Sequence, residues 1–408
     1  MNVTIYPSSL RGRIILPPSK SHVHRLLMAA AMCDEETVIL CPGENEDIQA
    51  TIRCLQALNA RIRREGDRII VRGPLGYSEH MALDCGESGS TLRFLLPLCA
   101  VHGDGRDIVL MGRGRLPKRP NGALLSEMAR HGAVIRRTEE AEQAGNELPL
   151  VLSGGMQPGD YYLPGNVSSQ YFTGLLFALP LLPGDSTLRF TSYLESMPSV
   201  DLTLFVLAQF GIRVEKLEDG WHIPGNQRYH SPGNAEAEGD WSAAAFWEGA
   251  NALGSHVQYD GAREESPQGD KKIRELLKKI GGEMDVTDTP DLMPILSAVA
   301  AATPGKTVIT GAARLRIKES DRLSAMAKTI RALGGCAEER EDGLIIEGKA
   351  LSGGVVDGMN DHRVVMSAAI AATACEGPVT ILGAEAVQKS YPGFFEDFVR
   401  LGGIVDVR

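Results

Sequence analysis

Aromatic residues are scarce in this chain of 408, at 5%, and only three are tryptophan. Positive charge is not in excess either: 42 Lys+Arg stand against 52 Asp+Glu, a formal net charge of −10. Nucleic acids and membrane surfaces are polyanions, so both shortages argue against either as a partner. The seven cysteines are an odd number with no C-x-x-C pair, and most sit in apolar or small-residue runs such as Ala31-Met32-Cys33. Neither a disulfide framework nor a zinc knuckle is encoded, and no metal is expected. The longest apolar run, residues 173–183, falls far short of a bilayer span. Met1-Asn2-Val3-Thr4-Ile5 lacks the basic and apolar regions of a signal peptide, so a reducing, cytoplasmic setting is expected.

What is present is ordinary globular composition, 43% hydrophobic and 23% charged, in a chain long enough for two domains. One phrase recurs along it: a helix end, a small residue, then a β-type run. It occurs at Leu58-Asn59-Ala60, His131-Gly132-Ala133, Phe210-Gly211-Ile212, Ile280-Gly281-Gly282, Leu333-Gly334-Gly335 and Leu401-Gly402-Gly403. The spacing averages about 69 residues, which marks a structural repeat. The small residue suits the left-handed position that ends a helix before a strand. Six βα units grouped three and three predict an α/β protein of two similar domains with a groove between them. Runs rich in Ala, such as Ala243-Ala244-Ala245 and Ser367-Ala368-Ala369, predict helices packed in an interior. The chain is expected to cross between domains near Leu16-Pro17-Pro18 and within residues 231–240.

Against the acidic average, Lys and Arg gather at strand–helix junctions. Pro18-Ser19-Lys20-Ser21-His22-Val23-His24-Arg25 opens one helix, and Gly86-Glu87-Ser88-Gly89-Ser90-Thr91-Leu92-Arg93 runs into another. Arg113-Gly114-Arg115-Leu116-Pro117-Lys118-Arg119 places four cations in a Gly/Pro loop, and Val167-Ser168-Ser169-Gln170 offers three uncharged donors. In Arg314-Leu315-Arg316-Ile317-Lys318-Glu319-Ser320-Asp321-Arg322, the spacing of Lys318 and Arg322 predicts a shared helix face. Asn360-Asp361-His362-Arg363 and Gln388-Lys389-Ser390 complete the set. Each alone reads as a helix cap or a solvated loop. Together they aim cations and helix N-termini at one place, which suits small ligands bearing phosphates and carboxylates. An acid inside such a site is expected only where chemistry needs one, which singles out Asp291 and Glu319.

These motifs, with Glu238-Gly239-Asp240-Trp241-Ser242 and Gln268-Gly269-Asp270, run the length of the chain. By them the chain resembles the 5-enolpyruvylshikimate-3-phosphate synthase family of enolpyruvyl transferases. The resemblance implies a two-domain α/β enolpyruvyl-transferase fold. Each domain has three βαβαββ units (an inside-out α/β barrel), with the active site in the interdomain cleft. The implied domains are 1–18 with 239–408, carrying Asp291, Lys318, Arg322, Arg363 and Lys389, and 19–238, carrying Lys20, Arg25, Arg119 and Ser168. It further implies transfer of the enolpyruvyl group of phosphoenolpyruvate to the 5-hydroxyl of shikimate 3-phosphate, with release of phosphate. This is the shikimate-pathway step toward chorismate and the aromatic amino acids. No cofactor is implied, and the chain is expected to be a monomer.

By the same resemblance, Lys20, Ser21, Arg25, Ser168, Ser169, Gln170, Ser196, Asp291 and Lys318 hold shikimate 3-phosphate. Lys20, Gly89, Arg119, Gln170, Arg322, Arg363 and Lys389 hold phosphoenolpyruvate. Asp291 takes the hydroxyl proton, Glu319 with Lys389 handles the proton on the methylene carbon, and Lys20 contacts both substrates. Pro18, His22, His24, Glu87, Ser199 and Arg314 depart from the family pattern. Of the alternatives, the sister transferase acting on UDP-N-acetylglucosamine carries a catalytic Cys in the loop occupied here by residues 113–120, which has none. A non-catalytic binder of phosphate ligands would have no use for Asp291 and Glu319.

Overall fold

The computed structural model describes residues 1–76, 81–102 and 106–408. All six repeated phrases end a helical segment with a residue of positive φ: Asn59 at 64°, Gly132 at 102°, Gly211 at 77°, Gly281 at 86°, Gly334 at 83° and Gly402 at 95°. At five of them the chain enters an edge strand antiparallel to its neighbour. At Gly281 it enters Glu283–Asp285, which instead pairs parallel with Gly305–Thr310 in the next sheet.

Residues 81–153 show the unit whole. Strand Met81–Asp84, helix Gly89–His102, strand Ile108–Met111, helix Gly122–Arg130 and strands Val134–Arg137 and Leu150–Ser153 follow in order. The first two strands pair parallel and the remaining pairs are antiparallel. The same strand order recurs in residues 160–223 and 283–348. Two further four-stranded sheets borrow a distant strand: Asn2–Tyr6 lies between Val379–Leu382 and Ile404–Val407, and Asn234–Glu236 adds beside Thr37–Leu40. The sixth sheet is only the parallel pair Arg11–Ile15 and His256–Asp260. The sheets are separate, and no closed barrel forms among the described residues, which corrects the barrel expected above. Helices such as Lys20–Ala31 and His362–Ala372 are nonetheless buried on nearly every side, while edge strands such as Arg61–Glu65 and Val134–Arg137 are mostly exposed.

The chain divides into two compact units, Met1–Ser19 with Glu238–Arg408, and Lys20–Ala237. Each has its own hydrophobic core. Where the chain leaves the first unit, the Ser19 amide donates to the Glu238 carbonyl at 2.7 Å, and Pro18 bridges Gly239. In that unit, helices Trp241–Ala252, Met293–Ala302 and His362–Ala372 pack on one another, and every residue of the last is buried. Gly249 lets the first two approach, since a Cβ there would fall 2.7 Å from the Ile295 side chain. In the second unit, helix Gly89–His102 packs against Ser169–Ala178 and Lys20–Ala31. Pro97 has no N–H to offer the Arg93 carbonyl one turn back, and Gly174 fills that gap. A Cβ at 174 would fall 2.2 Å from the Arg93 oxygen. No helix among the described residues is long and apolar enough to cross a membrane.

Candidate active site

In the unit of Met1–Ser19 and Glu238–Arg408, the predicted residues converge on Arg322. Asp321 caps helix Arg322–Ala332 through the Ser324 amide, so Arg322 is its first residue and Lys318 lies outside it. Lys318 and Arg322 therefore do not share a helix face, because the cap at Asp321 starts the helix after Lys318. Both still reach Asp291. Arg322 Nη1 donates to Asp291 Oδ1 at 2.7 Å and Nη2 to Glu319 Oε2 at 2.8 Å. Lys318 Nζ stands 3.6 Å from Asp291 Oδ1, and Arg363 Nη2 is 3.3 Å from Asp291 Oδ2. Lys389, buried, donates to the Asn360 carbonyl at 2.7 Å.

Electrostatics follow from that crowding. Burial alone would raise the pKa of Asp291, but Arg363, Lys318 and Arg322 outweigh it and hold the carboxyl far below its usual range. Burial pushes Lys318 down to about 8 despite Asp291 and Glu319. Asp270 moves the other way: burial raises it, although Arg363 opposes. Its carboxylate accepts from Ser242 Oγ, which in turn accepts from Arg363 Nη2 at 3.2 Å. The two Gly-Asp motifs are knit together here, with Gln268 accepting from the Trp241 amide at 3.1 Å and donating to the Gly239 carbonyl at 3.0 Å.

In the unit of Lys20–Ala237, helix Lys20–Ala31 begins at Lys20, earlier than its apolar run suggests, so Ser21 and Arg25 sit on its first turns. Lys20 Nζ donates to Asp47 Oδ2 at 2.8 Å. Arg25 is buried beneath, donating to Thr203 Oγ1 at 2.9 Å, the Ser21 carbonyl at 2.6 Å and the Ser199 carbonyl at 2.9 Å. Ser168 caps helix Ser169–Ala178, accepting from the Gln170 amide at 3.3 Å. Ser196 takes a left-handed φ of 58° ahead of helix Met197–Gln209. Gln170 is oriented at both ends: its oxygen accepts from Arg93 Nη1 at 2.7 Å and its amide donates to Ser90 Oγ at 2.9 Å. Gly89 and Arg119 are in contact, since a Cβ at 89 would fall 2.8 Å from Arg119 Nη1. Glu87 lies against the loop of residues 113–120, where a Cβ on Gly114 would meet its carboxylate at 2.5 Å.

Four residues that complete these clusters are absent from the expected set: Asp361, Asp270, Asp47 and Arg93. Asp361 is fully buried and accepts from Arg322 Nε at 2.7 Å and from Ser320 Oγ at 2.9 Å. Its motif is a legible helix cap, and Asp361 does accept from the Arg363 amide at 2.9 Å. Its partnership with Arg322, 39 positions away, has no local signal. Arg93 was in view in its motif, but its hydrogen bonds to Gln170, Asn121 and the Pro120 carbonyl have no local signal. Among the described residues, no group of three or more His, Cys, Asp or Glu is placed to hold a metal ion.

In each unit of this α/β protein Arg and Lys stand at helix starts beside carboxylates, an arrangement suited to small polyanions. A family model for EPSP synthase (3-phosphoshikimate 1-carboxyvinyltransferase) matches residues 5–289 and 281–398. A 3-phosphoshikimate 1-carboxyvinyltransferase of Clostridium acetobutylicum is 42% identical over 426 aligned positions, covering 99% of this chain and 98% of the relative. One from Clostridioides difficile is 37% identical at the same coverage. An EPSP synthase structure from Acinetobacter baumannii superposes with a TM-score of 0.82 at 27% identity, covering both chains fully. The enolpyruvyl transferase NikO of Streptomyces tendae shares the fold, with a TM-score of 0.78 at 18% identity over 99% of this chain and 98% of its own. The chain belongs to the EPSP synthase family.

Proposed function

We propose that this protein transfers the 1-carboxyvinyl group of phosphoenolpyruvate to the 5-hydroxyl of shikimate 3-phosphate, releasing phosphate. The observation that carries the reading is the convergence of Arg322, Lys318 and Arg363 on Asp291, an acid that a plain anion binder has no reason to keep. Lys20, Ser21, Arg25, Ser168, Ser169, Gln170, Ser196, Asp291 and Lys318 are assigned to shikimate 3-phosphate. Lys20, Gly89, Arg119, Gln170, Arg322, Arg363 and Lys389 are assigned to phosphoenolpyruvate.

The chemistry needs a base for the hydroxyl and an acid for the methylene carbon. Without substrate, Asp291 is too strongly held by cations to be a good base. Phosphate and carboxylate groups arriving at Arg322 and Arg363 compete for those cations, and the basicity of Asp291 rises as they let go. Glu319 is freed from Arg322 in the same exchange. Asp291 then takes the hydroxyl proton as that oxygen bonds to the central carbon of phosphoenolpyruvate, while Glu319 with Lys389 delivers a proton to the methylene carbon. A tetrahedral adduct results. The carbon–oxygen bond to phosphate breaks next, and the methyl carbon returns its proton to the same acid–base pair. A cytoplasmic, monomeric protein goes with this reading, and sedimentation equilibrium tests the second part.

Purified protein should release phosphate from phosphoenolpyruvate when shikimate 3-phosphate is present and not without it. Equal release with UDP-N-acetylglucosamine, or none with either acceptor, overturns the reading.

A further inference from the structure

Beneath the assigned pocket of the unit Lys20–Ala237 runs a buried chain of four side chains that the proposed chemistry does not use. His24 Nδ1 lies 2.7 Å from Thr51 Oγ1, Thr51 Oγ1 lies 2.7 Å from Thr91 Oγ1, and Thr91 Oγ1 donates to Ser88 Oγ at 2.8 Å. The Thr91 amide also donates to Ser88 Oγ, at 3.2 Å. All four residues are 0–1% exposed. His24 and Thr51 lie one helical turn beyond Lys20 and Asp47, so two rungs join helix Lys20–Ala31 to helix Glu46–Ala57. Only the His24 rung continues, through Thr91 and Ser88, to the start of helix Gly89–His102.

The chain has a fixed polarity. Thr91 uses its proton on Ser88, so the short Thr51–Thr91 contact requires the Thr51 proton. His24 must then donate from Nδ1, since two oxygens or an oxygen and a bare nitrogen at 2.7 Å repel. Burial, reinforced by the charges of Lys20 and Arg25, holds the imidazole well below its ordinary pKa, so it is neutral with one proton to place. Its Nε2 makes no hydrogen bond among the described residues, consistent with the bare position. A buried run of short hydrogen bonds with one allowed direction is rigid.

We infer that His24 is a positioning residue which, through Thr51 and Thr91, fixes the Ser88–Gly89 turn where the phosphate-bearing enolpyruvyl donor is received. The inference rests on the reading that Gly89 and Arg119 take phosphoenolpyruvate. Helix Lys20–Ala31 has other side-chain anchors in Asp47, Ser199 and Thr203, whereas Ser88 otherwise bonds only to main-chain groups among the described residues: its amide to the Cys85 carbonyl, its carbonyl to the Leu92 amide and its Oγ to the Thr91 amide. Loss of the chain is therefore felt at the turn, in donor binding, more than in shikimate 3-phosphate binding.

The test is steady-state kinetics with each substrate varied, on His24→Leu, His24→Asn, Thr51→Val and the double variant His24→Leu/Thr51→Val. His24→Leu and Thr51→Val should each raise KM for phosphoenolpyruvate about tenfold, the worth of one buried hydrogen bond. KM for shikimate 3-phosphate and kcat should stay near wild type. The double variant should be no worse than either single, and His24→Asn, whose amide sits where Nδ1 does, should restore KM. Additive effects, an equal rise in both KM values, or a well-folded His24→Asn without rescue overturns the inference. If His24→Leu does not fold, the near-isosteric Thr51→Val decides. Gly89→Ala separates the two levels. If it leaves KM for phosphoenolpyruvate unchanged, the pocket reading falls and the inference with it. If it raises KM while His24→Leu does not, the inference alone falls.

Discussion

Arg322 is held from below by Asp361, whose carboxylate accepts from Nε at 2.7 Å and from Nη2 at 3.2 Å. Burial would raise Asp361, but Arg322 beside it outweighs burial and lowers it, so the pair stays charged out of water. This leaves Nη1 and the other side of Nη2 to Asp291 and Glu319, the two acids that substrate anions must displace. Asp361→Ala leaves Arg322 with Asp291 and Glu319 but leaves its buried Nε without an acceptor, and losing such a charge-assisted hydrogen bond costs about 1.5–3 kcal/mol. Asp361→Asn should cost less, because the amide oxygen can still accept from the Arg363 amide. Denaturant unfolding of both variants measures the difference. Equal stability to wild type in Asp361→Ala would mean that the pair does not anchor Arg322.

Asp291 separates binding from chemistry. Its removal leaves Arg322, Lys318 and Arg363 with one negative charge fewer among them, so anionic substrates should bind at least as well. The proton acceptor is gone, however. Asp291→Asn should lower kcat by at least ~100-fold, a typical general-base contribution, without raising KM for phosphoenolpyruvate. A variant with wild-type kcat shows that another group takes the hydroxyl proton.

How much of this was legible in the sequence depended on whether a feature is local. The helix-ending positions at Asn59, Gly132, Gly211, Gly281, Gly334 and Gly402 were, since each needs only one small residue between two periodic runs. The Ala-rich helices were too, because composition alone argues for close packing. Pairings across the chain were not: Lys20 meets Asp47 27 positions away, and nothing near either residue announces it. The helix face drawn through Lys318 and Arg322 failed because Asp321, read only as one more charge, is the cap that starts the helix. The pairing of strand Glu283–Asp285, whose departure leaves Arg11–Ile15 and His256–Asp260 as a sheet of two, was also invisible, since the sequence before Glu283 looks like every other repeat. Only the partner strand shows that it joins the following sheet.

Gly174 tests the interior of the unit that carries Arg93 and Gln170. A Cβ there would press on the Arg93 carbonyl at 2.2 Å, and backbone cannot swing aside as a side chain does. Gly174→Ala should destabilise the protein by about 1–3 kcal/mol, as overpacking does, despite the general preference of helices for Ala over Gly. An unchanged denaturation midpoint would mean the two helices separate at no cost.

Lys318 supplies the pH dependence. Burial lowers it from its ordinary value to about 8, with Asp291 and Glu319 pulling the other way. Only the charged ammonium attracts the phosphate or hydroxyls of shikimate 3-phosphate, so binding is intact below that pKa and is lost as pH rises through it. The ratio kcat/KM for shikimate 3-phosphate reports the free enzyme, and should therefore bend downward near about pH 8. A bound anion favours the charged form, so the inflection in kcat, which reports the complex, should lie higher. Lys318→Arg should remove the bend altogether, because guanidinium stays charged throughout. Should kcat/KM stay flat to about pH 10, Lys318 does not contribute its charge to substrate capture.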